Sequence, residues 1–314
     1  MADLFTEIKD RLKSKSVTII LPEGKDQRII EAALKLQEEG VIQPIVIGNE
    51  NEIPSGLQVL NPATYEYMDE LIHAFVERRN GKVTIEEARE ILKDVNYFGT
   101  MLVYTKKADG LVSGAAHTTA ETVRPALQII KTKPGITKTS GAFLMVKNDT
   151  RYIFADCAIT IAPTSDDLAE IAVEGAKTAA AFGIEPKVAM LSFSTKGSAK
   201  SEETEKVVQA TALARERAPQ LLIEGELQFD ASVVPSIADK KAPGAVVRGD
   251  ANVFVFPSLE AGNIGYKIAE RLGGFEAIGP ILQGLNAPVN DLSRGCNAED
   301  VYKLAYITAA QALD

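Results

Sequence analysis

The 314-residue chain sets 43 acidic against 34 basic side chains, a formal charge of −9 that repels a phosphate backbone and excludes nucleic acid as an expected partner. Its 46% hydrophobic and 25% charged residues, with 14 prolines, exclude a disordered or collagenous chain, and the length exceeds what one core usually serves, so two domains are expected. Two cysteines, Cys157 and Cys296, exclude a disulfide framework and a paired zinc site, and no run of about 18 apolar residues occurs, so a soluble protein of the reducing cytoplasm is expected, with no membrane partner.

Along the chain, "MADLFTEIKDRLKSK" alternates charges and has no apolar core of signal-peptide length. The strand "VTIILPEG" precedes a helical "DQRIIEAALKLQEEG" that begins near Asp26 and is closed by Gly40, and "QPIVIG" follows as a second strand. "DELIHAFVERR" is helical, and Thr84 with Glu87 forms a capping box ahead of "AREILKD". Residues 141–162 read as two strands about the polar turn "KNDT", an antiparallel hairpin that could mark the domain boundary. A second alternation of strands and helices runs from "KVAMLSFS" through "LLIEGE" and "NVFVFPSLEAG" to "EAIGPILQG", and a last helix follows. The rhythm predicts an α/β fold with mostly parallel strands. No internal repeat or low-complexity tract occurs.

Several chemistries lack their residues. Only His73 and His117 could serve as an imidazole base, and no G-x-S-x-G elbow is present. The G-x-G-x-x-G and G-x-x-x-x-G-K-[ST] fingerprints are missing, since "GPILQGLN" lacks the lysine and hydroxyl. No H-E-x-x-H or aspartate-rich magnesium motif appears, so catalysis without a metal is expected.

What remains are loops of small residues that open onto helices. In "DGLVSGAAHTTAETVRPALQIIKT", Ser113 to Ala116 precede Thr118, whose spacing to Glu121 is that of a capping box. Amides there would face an anion, and Arg124 lies about two turns along to add charge. On the motif alone, the same residues read more simply as a plain helix cap and a solvated arginine. "TKTSGAF" offers a weaker second place at Ser140 and Gly141. In "APVNDLSRGCNAEDVYKLA", Ser293 and Arg294 stand side by side with Asp300 beyond them, yet Asn297 can be an N-cap and Asp300 a first-turn carboxylate.

The runs "PSLEAGNIGYKIAERLGGFEAIGPILQGLNAPVNDLSRGC", "DGLVSGAAHTTAETVRPALQIIKTKPGITKTSGAFLM" and "FADCAITIAPTSDDLAEIA" closely resemble the phosphate acetyl/butyryltransferases, nearest to the phosphate acetyltransferases (phosphotransacetylases) of Gram-positive bacteria. The match spans nearly the whole chain, which is several residues shorter around "NEIPSGLQVLNPATYEYM". The resemblance implies two α/β/α domains like those of isocitrate and isopropylmalate dehydrogenases, with an interdomain active site. Domain I is expected to comprise 1–143 plus 287–314 and domain II 144–286. It implies reversible acetyl transfer between coenzyme A and phosphate, with acetyl-CoA, phosphate and acetyl phosphate as small-molecule partners, no cofactor, and a homodimer.

By the same resemblance Ser293, Arg294 and Asp300 take the family's catalytic positions. Asp300 would be the thiol base, Ser293 the oxyanion donor and Arg294 the phosphate and carbonyl clamp. A free thiol and a free aspartic acid differ by roughly four pKa units, on the order of 6 kcal/mol, so the thiolate itself needs stabilising, a role open to Arg294. Phosphate is already a good leaving group, and direct transfer in a ternary complex is expected. Ser113, His117, Thr118, Arg124 and Ser140 are candidates for phosphate and acetyl binding, and Arg78 with Arg79 for coenzyme A, although "VERRNGK" also reads as a solvated helix end. Cys157 reads as a buried apolar residue, and Cys296 as a neighbour of the site outside the chemistry. Three rivals stay open: a butyryltransferase of the same family, an NAD-dependent decarboxylating dehydrogenase on a similar fold, and a non-catalytic sensor.

Overall fold

The computed structural model describes residues 4–313. The chain forms two compact units, one running up to Lys133 and resuming at Leu285, the other Pro134–Gly284. In the first unit α1 (Leu4–Leu12), β1 (Thr18–Leu21), α2 (Gln27–Glu39), β2 (Gln43–Ile47) and β3 (Gln58–Leu60) precede α3 (Met68–Arg78), α4 (Ile85–Ile91) and α5 (Val95–Tyr104), followed by β4 (Gly110–Ser113) and α6 (Thr119–Ile129). The second unit holds β5 (Ser140–Lys147), β6 (Thr150–Ala155), α7 (Ser165–Ala181), β7 (Lys187–Leu191), α8 (Glu202–Arg217), β8 (Leu222–Leu227), α9 (Phe229–Val233), α10 (Pro235–Lys241), β9 (Val253–Val255), α11 (Leu259–Arg271) and β10 (Glu276–Gln283). The chain then re-enters the first unit as β11 (Val289–Asp291) and α12 (Ala298–Gln311).

The first sheet has the order β11-β4-β1-β2-β3, and every pairing in it is parallel. Its strands are short apolar runs because both faces are covered. Ile20 of β1 and Leu111 of β4 meet Gly99 of α5, whereas Gly110 of β4 lies against Thr308 of α12 and Ile19 of β1, so successive residues point to opposite faces. α12 is buried through Val301, Tyr302, Leu304, Ala305, Tyr306 and Ile307, as a helix that is apolar nearly all round should be. Glu39 at the end of α2 accepts from the hydroxyls of Tyr302 and Tyr306 and pairs with Lys9 of α1, which ties three helices at one carboxylate. Local signals hold where they were read. Thr84 and Thr118 each complete a capping box, and Gly40 ends α2 with φ 65°, a conformation that suits glycine. The shortened segment near residue 51 still delivers β3 parallel to β2.

The second sheet has the order β10-β5-β6-β9-β7-β8 and is mixed. β5 and β6 form the expected antiparallel hairpin, closed where Lys147 faces Thr150 by Asn148 at φ 54° and Asp149, the left-handed turn that matches strand twist. β10 runs antiparallel to β5, while β6, β9, β7 and β8 are parallel. Its core gathers Phe143, Phe154, Phe254 and Phe256, with Cys157 buried among them. Among the described residues no helix is long and apolar enough to cross a membrane.

Candidate active site

Three neighbouring parallel strands of the first unit, β11, β4 and β1, end on one side of the sheet, and each hands the chain to a helix. Ligands of open α/β sheets bind outside the carboxyl ends of such strands. Here the loops are residues 22–26 after β1, 114–118 after β4 and 292–297 after β11, and the last carries Ser293 and Arg294.

The loop after β4 wraps a carboxylate. Glu23, 4% exposed, accepts through Oε2 from the backbone N–H of Gly114 (3.1 Å) and Ala115 (2.9 Å), and through Oε1 from Ala116 (2.8 Å) and His117 (2.9 Å). Nδ1 of His117 lies 2.7 Å from the same Oε1. Thr118 N–H in turn donates to Glu121 at 2.7 Å. The amides of this loop do face an anion, but the anion belongs to the protein. Gly114, at φ +112°, is required here, since a Cβ would stand 2.4 Å from Asp291 Oδ1 and 2.6 Å from the backbone of Leu292.

A single guanidinium joins the loops. Arg28 at the start of α2 donates through Nη2 to Ala115 O (2.7 Å) and through Nη1 to the carbonyls of Arg294 (2.8 Å) and Cys296 (2.9 Å). Its Nε and Nη2 also reach Asp26, the N-cap of α2, at 2.9 and 2.7 Å, and that pairing raises the arginine's pKa further and lowers the aspartate's. Leu292 N–H donates to Ser113 O at 2.7 Å, extending the β11–β4 ladder into the turn.

Within that frame Ser293 and Arg294 are exposed. Ser293 Oγ accepts from Gly295 N–H at 3.2 Å, which leaves its own hydroxyl proton free to donate. Asp300 is half-buried in a capping box, with Oδ2 accepting from Asn297 N–H (2.8 Å) and Asp300 N–H donating to Asn297 Oδ1 (3.0 Å). Burial pushes the Cys296 thiol up to about 11, the charges of Asp300, Asp26 and Glu23 adding and Arg28 opposing, so it is protonated at neutral pH. Asp291, 2% exposed at the end of β11, has its carboxyl raised to about 6. Burial is the main cause, Glu23 adds, and the hydroxyls of Thr119 and Thr122 and the charge of Arg294 oppose. Its Oδ1 has no hydrogen-bond partner among the described residues.

The other candidates fall in different settings. Ser113 is fully buried and donates to Asn96 Oδ1 at 2.7 Å, so its hydroxyl is spent on α5. Thr118 and Arg124 are exposed on the first turns of α6. Arg78 donates to the carbonyls of Ile129 (2.5 Å) and Ile130 (3.0 Å) and stacks on Tyr104, closing the end of α6, whereas Arg79 keeps a buried Nε with no hydrogen-bond partner among the described residues. Ser140 belongs to the second unit, where it donates to Gln283 Oε1 at 3.1 Å. Glu23 and Arg28 were not singled out from the sequence. The one available signal was a charged run, "PEGKDQR", directly after a buried strand.

Comparison with known proteins agrees in extent. The sequence pattern that defines the phosphate acetyl/butaryl transferases matches residues 3–309. The phosphate acetyltransferase of Bacillus subtilis is 66% identical over 323 residues, covering 100% of both chains. The solved structure of the EutD phosphotransacetylase from Staphylococcus aureus superposes with a TM-score of 0.95 at 61% identity, over 99% of this chain and 98% of that one. A putative 4-hydroxythreonine-4-phosphate dehydrogenase from Salmonella typhimurium, 15% identical over 96% of this chain and 100% of its own, shares the fold alone at a TM-score of 0.53. With a match along its whole length and two thirds of its residues shared with a relative, the chain belongs to the phosphate acetyl/butaryl transferase family.

Proposed function

We propose that the protein transfers an acetyl group reversibly between coenzyme A and phosphate. The observation that carries this reading is the full-length identity with named phosphate acetyltransferases, joined to a loop at the carboxyl ends of parallel strands that presents a serine and an arginine side by side. In the direction of thioester formation, the coenzyme A thiol gives its proton to Asp300 and the thiolate attacks the acetyl carbon. The tetrahedral oxyanion accepts from the free hydroxyl of Ser293, and the phosphate departs with the electron pair of the broken C–O bond against the Arg294 guanidinium. Arg28 is the positioning residue for that turn, because it grips the carbonyls of both Arg294 and Cys296. Arg78 is spent on the carbonyls of Ile129 and Ile130, which leaves Arg79 as the more available of the pair for an anionic end of coenzyme A. The reading takes the enzyme as a cytoplasmic homodimer that needs no metal, since Arg294 supplies the charge that the phosphate requires.

The test is formation of thioester from acetyl phosphate and coenzyme A by the purified protein, with propionyl and butyryl phosphates alongside. A methylene in an apolar pocket is worth about 1–3 kcal/mol, so the rates should separate by about 10-fold or more in favour of acetyl. No thioester from any of the three overturns the reading, and a butyryl preference reassigns the acyl group.

A further inference from the structure

Acyl transfer from an acyl phosphate makes a demand that Ser293, Arg294 and Asp300 do not meet. Acetyl phosphate is a dianion at neutral pH, and phosphate, a good leaving group once it carries a proton, would without one leave as the strongly basic trianion. A general acid at the departing oxygen removes that barrier, and in reverse the same group takes the proton from attacking phosphate. Asp300 serves the sulfur end, arginine does not deprotonate, and a serine hydroxyl is a poor acid.

Within the first unit His117 has the chemistry for this work. Its Nδ1 is 2.7 Å from Glu23 Oε1, and the Glu23 side chain, 1% exposed, is locked by four backbone N–H donors. A fixed carboxylate keeps the proton on Nδ1, so Nε2 becomes the atom that gains and loses one, as in other carboxylate–imidazole pairs. The ring stays 27% exposed and so remains open to solutes. Its loop and the Ser293–Arg294 turn are gripped together by Arg28, through Ala115 O and Arg294 O. The charges facing it are Glu23 from the loop after β1 and Glu121 from the first turn of α6, with Arg124 one turn beyond.

We infer that His117, oriented by Glu23, is the general acid that protonates the departing phosphate, and the base that deprotonates phosphate when acetyl phosphate is formed. The inference rests on the acetyl-transfer reading. In thioester formation the C–S bond forms and the C–O bond breaks. The electron pair stays on the phosphate oxygen, which takes the proton from Nε2–H of the imidazolium. His117 regains a proton from solvent, and Asp300 releases the thiol's proton to it, so the cycle closes without a further reactant.

Two variants test it, with wild-type thioester formation measured first. His117→Gln keeps a donor for Glu23 but has nothing to titrate, and His117→Ala opens space for exogenous imidazole. Both should lower kcat by about 10²- to 10⁴-fold with KM for coenzyme A within a few-fold of wild type. Both should also remove one limb of the pH profile of kcat/KM for acetyl phosphate, and imidazole should restore part of the His117→Ala rate. If folded His117→Gln retains wild-type kcat, or the variants are slow but keep the wild-type pH profile with no response to imidazole, His117 only fastens the loop and the inference fails. An inactive wild-type protein sinks the acetyl-transfer reading instead.

Discussion

Asp300 is placed in a helix cap and, by the proposed mechanism, is also a base, and one substitution separates the two roles. Asparagine at this position still offers an oxygen to Asn297 N–H, so the cap persists and only a charge–dipole contribution of about 0.3–1 kcal/mol is lost. Asp300→Asn is therefore expected to fold normally while kcat falls about 10²- to 10⁴-fold, with partial recovery at high pH where more coenzyme A is already thiolate. Near-normal turnover at neutral pH would return Asp300 to the cap alone. Asp291 gives the opposite kind of signal, in stability. Its folded pKa of about 6 exceeds the usual 3.8, so the folded chain holds this proton more tightly than the unfolded one. The stability it contributes is therefore complete below about pH 4 and is lost as pH rises through about 6, a swing on the order of 2–3 kcal/mol. Asp291→Asn should remove that slope, gaining on wild type between pH 4 and 7 in denaturant titrations. Parallel stability curves for the two proteins would mean that the carboxyl is not perturbed.

At the level of elements, the capping boxes at Thr84 and Thr118, the left-handed Gly40 and the hairpin about Asn148 were legible because each is local, set within about four residues by groups the sequence displays. The contacts that shape the site were not. Glu23 meets the 114–118 loop across 91 to 94 positions, and Arg28 meets Arg294 and Cys296 across 266 and 268. No periodicity records which strands lie side by side, and β11, Val289–Asp291, is too short to announce itself in "APVNDLS". Ser113 shows the same limit from the other side, since its serine-glycine context suggested a ligand while its hydroxyl turns into the fold toward Asn96. The loop-joining role of Arg28 has its own test. Lysine keeps the charge but lacks the planar fork, so Arg28→Lys cannot hold three carbonyls and Asp26 together. We expect kcat to fall about 10²-fold, as small misplacements of reacting groups do, with KM for coenzyme A changed far less. Wild-type kcat in Arg28→Lys would show that the loops keep their places without it.

For the whole molecule, the uneven path of the chain is what matters. Pro134–Gly284 is one uninterrupted segment with its own sheet and aromatic core, and its two ends pair, because Ser140 of β5 faces Gln283 of β10. Expressed alone it should fold cooperatively and melt in a single calorimetric transition, whereas an unfolded circular dichroism spectrum would show that it depends on the rest of the chain. The first unit has no such independence. Its sheet lacks β11, and its core lacks α12, until everything up to Gly284 has been made. A ribosome therefore finishes the inserted segment before it supplies the strand that carries Ser293 and Arg294, and domains fold in the order in which they emerge. Until then α1, α2, β1 and β4 wait without the helix they pack against, so the nascent first unit is the part of this protein with most need of a chaperone during synthesis.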